Sequence, residues 1–343
     1  MNTYAKYAAE KAIELLNIDS PSGYTREATE WLLNEFRSLG FVAEPTRKGS
    51  VLVQFGGAGS DGVLFETHTD TLGAIVAEIK TDGRLRISNI GGLMACNTET
   101  ENVRVHTRSG KAYEGTIQLI NPSRHVNINL EKTERNFDTV EVVLDEDVKN
   151  AEDVRKLGIN TGDFVCPFPR AYITESGYIK SRFLDDKLSV SCLLALGKYI
   201  QDKNITLPRK VYGLITVYEE VGHGGSASIP EDITDAISVD MGCVGAGLGC
   251  TERQVSICAK DSGGPYNYDL TNELIAAAEK ENASYSVDIY PWYGSDVEAT
   301  LRSGHDIRHG LIGPGVYASH GYERSHIDGV LSTLKVLKGF LNI

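Results

Sequence analysis

Two hydrophobic patterns succeed each other along the chain and restrict the folds it can adopt. Apolar runs such as "GVLFETH" and "RKVYGLITVY" alternate with helical segments such as "TREATEWLLNEFRSLG", before residue 72 and again after residue 171. Strands that are apolar throughout and are separated by helices are typical of a sheet that helices cover on both faces. These segments therefore predict one α/β domain with a mixed sheet.

The residues between these segments follow a different pattern. Stretches such as "AIVAEIKTDGRLRISNIGG" and "VRVHTRSGKAYEGTIQLI" alternate polar and apolar residues and are interrupted by glycines, as in small antiparallel β structures. We expect a small β-barrel-like domain over 72–171, inserted into a larger domain formed by 1–71 and 172–343. The length of 343 residues agrees with about two domains.

Composition excludes several classes of partner. The net charge of −13 argues against nucleic acid and against an anionic membrane surface, because both attract lysine and arginine. The first residues lack the pattern of a signal peptide, and no apolar run is long enough to span a bilayer. The six cysteines form no C-x-x-C pair and several lie in apolar runs. They favour buried thiols in a reducing compartment, the cytoplasm.

Acidic residues and histidines follow several predicted strands. The candidates are His68 with Asp70, Glu219 with Glu220, Asp240, Asp185 at the start of a helix, and His320 and His326 near the last strand. Ligands of open α/β sheets bind beyond the carboxyl ends of the strands, so these side chains are expected to meet. Their mixture of nitrogen and oxygen donors predicts a site for Zn²⁺, Co²⁺ or Mn²⁺ rather than Mg²⁺ or Ca²⁺.

Each candidate also has an ordinary structural interpretation. The alternatives are a helix cap for Asp185 and Asp186, a solvated loop pair for Glu219 and Glu220, a turn for Asp70 or Asp240, and the surface for His320 or His326. The occurrence of ligand-type residues at several independent strand ends favours the metal site.

Six motifs are spread over nearly the whole chain. They are "SPSGYT", "HTDTLGAIV", "INTGDFV", "FLDDKLS", "TVYEEVGHGG" and "SVDMG". Taken together, they resemble those of the glutamyl (tetrahedral) aminopeptidase family of di-metal exopeptidases. The resemblance implies a zinc-exopeptidase-like catalytic domain that removes N-terminal residues from peptide substrates. It also implies that the inserted domain mediates dimerisation, within homo-oligomers that reach twelve subunits.

The resemblance further implies two divalent ions per subunit, Zn²⁺ first and Co²⁺ or Mn²⁺ as alternatives. The implied roles are Asp185 as the carboxylate bridging both ions, His68 and Asp240 on one ion, Glu220 and His320 on the other, Glu219 as general base, and Asp70 as the partner of His68. His326 stays an alternative to His320, because "SHGYERSH" replaces the histidine-serine-proline usual in the family. The segment "WYGSDVEATLRSGH" resembles the family's substrate-side glycine loop, and its Ser295 and Asp296 could also cap a helix.

Other activities compete with this interpretation. A deacylase or carboxypeptidase could use the same scaffold, and a glycosidase could use Glu219 and Asp185 as its carboxyl pair. A glycosidase leaves His68 and His320 unexplained, and a non-catalytic metal-binding or assembly protein has no need of Glu219. Release of free amino acids from an unblocked peptide distinguishes the aminopeptidase from the glycosidase and from the non-catalytic protein.

Overall fold

The computed structural model describes residues 1–343 and contains seven α-helices and eighteen strands. The helices are α1 (Asn2–Leu16), α2 (Arg26–Ser38), α3 (Ala151–Lys156), α4 (Leu184–Asp202), α5 (Tyr268–Lys280), α6 (Asp296–Arg302) and α7 (Ile327–Leu341). None of them combines the length and the hydropathy that a membrane crossing requires.

The strands divide between two compact units of the chain, Met1–Asp70 with Arg170–Ile343, and Thr71–Pro169. The first unit holds β1 (Val42–Pro45), β2 (Val51–Gly56), β3 (Gly62–His68), β10 (Tyr172–Ile173), β11 (Tyr178–Ser181), β12 (Val211–Thr216), β13 (Ile233–Val239), β14 (Gly242–Val244), β15 (Val255–Lys260), β16 (Tyr285–Ile289), β17 (Arg308–Tyr317) and β18 (Glu323–His326). The second unit holds β4 (Gly73–Ile79), β5 (Leu85–Ile90), β6 (Asn102–His106), β7 (Ala112–Leu119), β8 (Val140–Leu144) and β9 (Phe164–Pro167).

The strands of the first unit form one mixed sheet in the order β1-β2-β12-β3-β13-β17-β18-β11-β10, with β14 and β15 paired to β17 and β16 paired to β15. β12, β3, β13 and the first half of β17 run parallel. Their carboxyl ends therefore lie at one edge, which is where a ligand site is expected in such a sheet.

Helices cover both faces of this sheet. Leu64 of β3 and Leu214 of β12 belong to the same buried cluster as Val297 of α6. Gly213 points to the opposite face, because side chains alternate along a strand, and a methyl group there would lie 3.6 Å from Leu193 of α4. The apolar runs thus reflect burial on both sides, and the predicted α/β fold is confirmed.

The second unit is a closed six-stranded barrel in the order β4-β5-β8-β7-β6-β9. All its pairings are antiparallel. In β6, Val103 and Val105 are fully buried while the residues between and beside them are partly exposed. That alternation is the pattern seen in the sequence, and it confirms the predicted β-barrel-like insertion.

Close packing of two backbones fixes the position of Asp240. A Cβ atom at Gly313 of β17 would lie 1.3 Å from the carbonyl oxygen of Asp240, and the N–H of Asp240 donates to the carbonyl of Ile312 at 3.0 Å. Only glycine lets the two chains approach this closely.

We therefore expect Gly313→Ala to lower the free energy of unfolding by about 1–3 kcal/mol, since the overlap is with backbone and no rotamer relieves it. Gly310→Ala on the same strand is the matched control, because its Cβ would meet the side-chain ends of Leu274 and Leu270 at 3.1 and 3.4 Å. Urea midpoints check this pair. Equal midpoints for the Gly313 variant and the parent would contradict the packing argument.

Candidate active site

Two groups of potential metal ligands share one carboxylate. His68, Asp185 and Asp240 form the first group, and Asp185, Glu220 and His320 form the second. In each group the ligand atoms all lie within 4.8 Å of one another. The structure thus brings all five sequence-predicted ligands together, with Asp185 common to both groups.

The parallel strands place His68 and Asp240 side by side. His68 ends β3 and pairs with Thr216 of β12, and Glu66 pairs with Ser238 of β13. Two residues beyond Ser238, Asp240 comes level with His68. Both side chains are buried, with exposures of 1% and 5%. The register of neighbouring strands therefore accounts for two of the three members of the first ligand group, His68 and Asp240.

A turn brings both glutamates to the site. β12 ends at Thr216, and Tyr218 adopts a left-handed conformation with φ of +72° before a short 3₁₀ turn over Glu219–Val221. Adjacent residues on a regular strand point to opposite faces, and this turn removes that restriction. A Glu219 carboxylate oxygen lies 3.7 Å from Nε2 of His68, and one of Glu220 lies 3.7 Å from Nε2 of His320.

Asp185 lies between the two imidazoles. Its Oδ1 is 3.1 Å from Nε2 of His68, and its Oδ2 is 3.5 Å from Nε2 of His320. Burial by itself raises the pKa of this carboxyl, but the two histidines outweigh that effect and lower the pKa below its usual value. Asp185 precedes the regular part of α4, since it and Asp186 have non-helical dihedral angles.

Asp70 joins His68 to the glutamate turn. Nδ1 of His68 lies 2.9 Å from the backbone carbonyl oxygen of Asp70 and 3.6 Å from its Oδ1. The Asp70 carboxylate accepts hydrogen bonds from the backbone N–H groups of Glu219 and Glu220, at 3.1 and 3.4 Å, and from the Ser22 hydroxyl. One buried carboxylate therefore fixes the turn and lies beside the histidine ring.

Negative charge dominates the site. Burial raises the pKa of Asp240 to about 7, and the nearby charge of Asp185 adds to that effect. Burial likewise raises the pKa values of Glu219 and Glu220 well above the usual glutamate value. Carboxyl groups removed from water stay ionised only beside compensating cations.

The two histidines respond in the opposite sense. Burial lowers the pKa of His68, but its hydrogen bond to Asp185 and the charge of Glu219 raise the pKa well above normal. The hydrogen bond to Asp185 is the main reason that the pKa of His320 is raised to about 9. The ring nitrogens thus lie in a field that attracts positive charge. This donor set, two imidazoles among buried carboxylates, fits divalent ions of the zinc type.

His326, the alternative ligand, lies outside both groups. Its Nδ1 accepts a hydrogen bond from the N–H of Asp328 at 3.0 Å, and its Nε2 contacts the carbonyl oxygen of Ser176 at 2.8 Å. The first of these bonds makes His326 the N-cap of α7.

Three further residues support the site without belonging to the sequence-predicted set. Glu323 accepts from the N–H of His320 at 3.1 Å and from that of Asp185 at 3.2 Å. Asp186 accepts from the N–H of His68 at 3.3 Å. Asp296 accepts from the N–H of Gly225 at 2.6 Å and from the Thr216 hydroxyl.

Only part of this supporting set had a sequence signal. "ERSH" places Glu323 three residues after His320, and "GSDVEAT" marks Asp296, which is buried. Ser295 makes no capping hydrogen bond at α6, so the helix-cap interpretation does not describe its side chain.

Comparisons with known proteins agree with this geometry. A model of the M42 glutamyl aminopeptidase family matches residues 49–336. YhfE of Bacillus subtilis (strain 168), named for a proposed aminopeptidase activity, is 44% identical over 336 residues, which cover 98% of this chain and 97% of YhfE.

Two solved structures share the fold. The TET aminopeptidase of the marine sediment archaeon Thaumarchaeota archaeon SCGC AB-539-E09 superposes with a TM-score of 0.89 at 19% identity, covering 97% of this chain and 96% of that one. The TET1 peptidase of Pyrococcus horikoshii, which can assemble into a tetrahedron or a large octahedral shell, gives 0.85 at 22% identity, covering 97% and 98%. The family match over most of the chain carries the assignment: this protein belongs to the M42 glutamyl aminopeptidase family and is a peptidase.

Proposed function

We propose that this protein is a metal-dependent aminopeptidase that binds two divalent ions per subunit and releases N-terminal residues from peptides. The observation that supports it most directly is the pair of three-residue ligand groups that share Asp185. His68 and Asp240 complete one group, and Glu220 and His320 complete the other. Zn²⁺ is the first expectation for this mixed donor set, with Co²⁺ and Mn²⁺ as alternatives.

The chemistry suits hydrolysis at the end of a peptide. When bound, such ions lower the pKa of the attacking water, polarise the scissile carbonyl and hold the free amine of the substrate. Glu219 belongs to neither ligand group, although its carboxylate lies 3.7 Å from His68. In this proposal Glu219 takes a proton from the attacking water and returns it to the leaving nitrogen. Burial raises its pKa, and this makes it a stronger base than an exposed glutamate.

Asp70 is a positioning residue in this proposal. Its carboxylate accepts the N–H groups of Glu219 and Glu220, and its backbone carbonyl lies beside Nδ1 of His68. Hydrogen bonds of this kind hold the ring and the turn in place. The base and one ligand of each group therefore depend on the same residue.

We further propose that the protein forms homo-oligomers built from dimers, with twelve subunits as the expected size. The support is the fold shared with TET peptidases, one of which can form a tetrahedron or an octahedral shell. In this proposal the barrel unit, Thr71–Pro169, contributes the dimer contact. Sedimentation at micromolar concentration tests the assembly, and a monomer would contradict it.

The cysteines support the expected reducing compartment, the cytoplasm. No disulfide joins any of the six, and only Cys96 is exposed. Burial raises the pKa of Cys192 well above its usual value and that of Cys258 to about 12. Such thiols are unreactive and have no structural disulfide to lose.

Metal removal tests the proposal as a whole. Dialysis against a chelator should reduce hydrolysis of aminoacyl-p-nitroanilides to background, and Zn²⁺, Co²⁺ or Mn²⁺ should restore it. Mg²⁺ and Ca²⁺ serve as matched controls and should restore little, because they prefer all-oxygen sites. Full activity in protein shown by elemental analysis to be metal-free would contradict a metal-dependent mechanism.

Substitution of the two adjacent glutamates should affect metal content and activity differently. Glu220→Gln removes an anionic ligand, so metal content and activity should both fall, and excess metal should restore part of the activity. Glu219→Gln keeps every ligand and loses the proton transfer, so kcat should fall by about a hundredfold to ten-thousandfold at normal metal content. A kcat of the Glu219 variant within about threefold of the parent, at matched metal occupancy, would contradict the role of Glu219 as general base.

A further inference from the structure

A cavity of about 250 Å³ lies beside Glu219. It is formed by Glu219, the segment around Ser262 and Gly263, the segment Tyr293–Ser295, and the exposed side of α6 with Glu298 and Arg302. The Tyr293 hydroxyl donates to the carbonyl of Met241, the residue after Asp240, at 3.0 Å. The cavity therefore adjoins both the proposed base and the first ligand group.

Glu298 has a defined place in this cavity. Its carboxylate lies against the backbone of Gly263, where a Cβ atom would come within 1.6 Å of Oε1. A side chain at position 263 would displace the carboxylate from this place. The Glu298 side chain is 12% exposed, while its ion-pair partner Arg302, at 2.6 Å, is 67% exposed. Solvent screens the exposed cation much more than the enclosed anion.

The surroundings of the cavity are mainly acidic. Asp261 is fully buried near Glu298 and accepts from the Tyr266 hydroxyl at 2.6 Å and from the N–H of Gly263 at 2.8 Å. Asp296 lines the cavity as well. The cations nearby are Arg302, Lys260 and Lys48. The ammonium of Lys260 contacts the backbone carbonyl of Asp261 at 2.8 Å, and that of Lys48 contacts the carbonyl of Gly224 at 2.8 Å and interacts with the charge of Asp296. Carboxyl groups outnumber these cations, since Glu219 also faces the cavity.

We propose that this cavity receives the side chain of the substrate's N-terminal residue and selects a positively charged one, lysine or arginine, through Glu298. This inference rests on the proposed aminopeptidase function. In this function the scissile carbonyl belongs to the N-terminal residue of the substrate, and Glu219 activates the water that attacks it. Because Glu219 also lines the cavity, the side chain of the N-terminal residue is the part of the substrate nearest to the cavity.

The charges favour a cation over the alternatives. An acidic side chain would meet Glu298 and Asp296 and would have to compete with Glu298 for Arg302. A neutral chain would fill the space without adding a second cation to the one that Arg302 supplies to Glu298. Burial and the proximity of Asp261 raise the pKa of Glu298 to about 7, and an ammonium or guanidinium group entering the cavity would stabilise its ionised form.

The test compares substrates that differ in charge more than in shape. The metal-loaded protein is assayed at pH 8 with lysyl, norleucyl, arginyl, leucyl and glutamyl p-nitroanilides. We expect kcat/KM for lysyl to exceed that for norleucyl by about tenfold or more, because a hydrogen bond between charged groups in a partly buried site contributes about that factor. The difference should lie mainly in KM.

Variants then assign the preference to Glu298. Glu298→Gln should reduce the lysyl-to-norleucyl ratio by about tenfold. Arg302→Gln removes the competing cation and should increase the ratio. Glu10→Gln, on the exposed side of α1, changes the net charge equally and should leave the ratio unchanged. Because each ratio is measured within one variant, loss of folded enzyme cancels from it.

The outcomes separate this inference from the function on which it rests. Cleavage of norleucyl or leucyl substrate with a lysyl-to-norleucyl ratio below about twofold would overturn the cationic selectivity and leave the aminopeptidase in place. A preference for the glutamyl substrate, or a ratio unaffected by Glu298→Gln, would also overturn it. Failure of the metal-loaded protein to cleave any of the five substrates would overturn both.

Discussion

The shared position of Asp185 is the constraint on which the rest of the site depends. Its two oxygens face His68 and His320 at 3.1 and 3.5 Å, and its pKa is lowered although it is buried. Carboxylates gathered around it raise one another's pKa values, so the arrangement is costly without added positive charge. We interpret this surplus of buried anions as the physical reason for proposing two cations at this point.

Some of these side chains are positioned by regular strands and others by irregular backbone. Strand register alone sets His68 level with Asp240. The other ligands need departures from regular backbone: Phe183, Tyr218 and His320 all have positive φ values, of +69°, +72° and +61°. Each left-handed residue costs about 1–2 kcal/mol. All three lie within two residues of a proposed ligand, so the strain is concentrated where the site needs sharp changes of direction.

The sequence predicts more of the site than of the cavity beside it. Apolar runs ending in His68 and Asp240 indicate both a covered sheet and its ligand edge. A short stretch of sequence is enough to show that a strand is buried and where it ends. The sequence of β15 does not form a continuous apolar run, because Ser256 and Cys258 interrupt it, and so it does not predict a strand there. The contact of Glu298 with Gly263 joins residues 35 positions apart. A contact between residues so far apart cannot be predicted from a short stretch of sequence. His320 and His326 also required the structure to separate them, because both follow the last long strand.

Metal stoichiometry in matched variants tests the central claim most directly. The parent protein should bind about two equivalents of Zn²⁺ per chain by elemental analysis after removal of free metal. Asp240→Asn disturbs one ligand group and should lose about one equivalent, while Asp185→Asn disturbs both and should lose affinity at both positions. If Asp185→Asn retained as much metal as Asp240→Asn, the two groups would not depend on a common carboxylate, and the proposed two-metal site would be wrong.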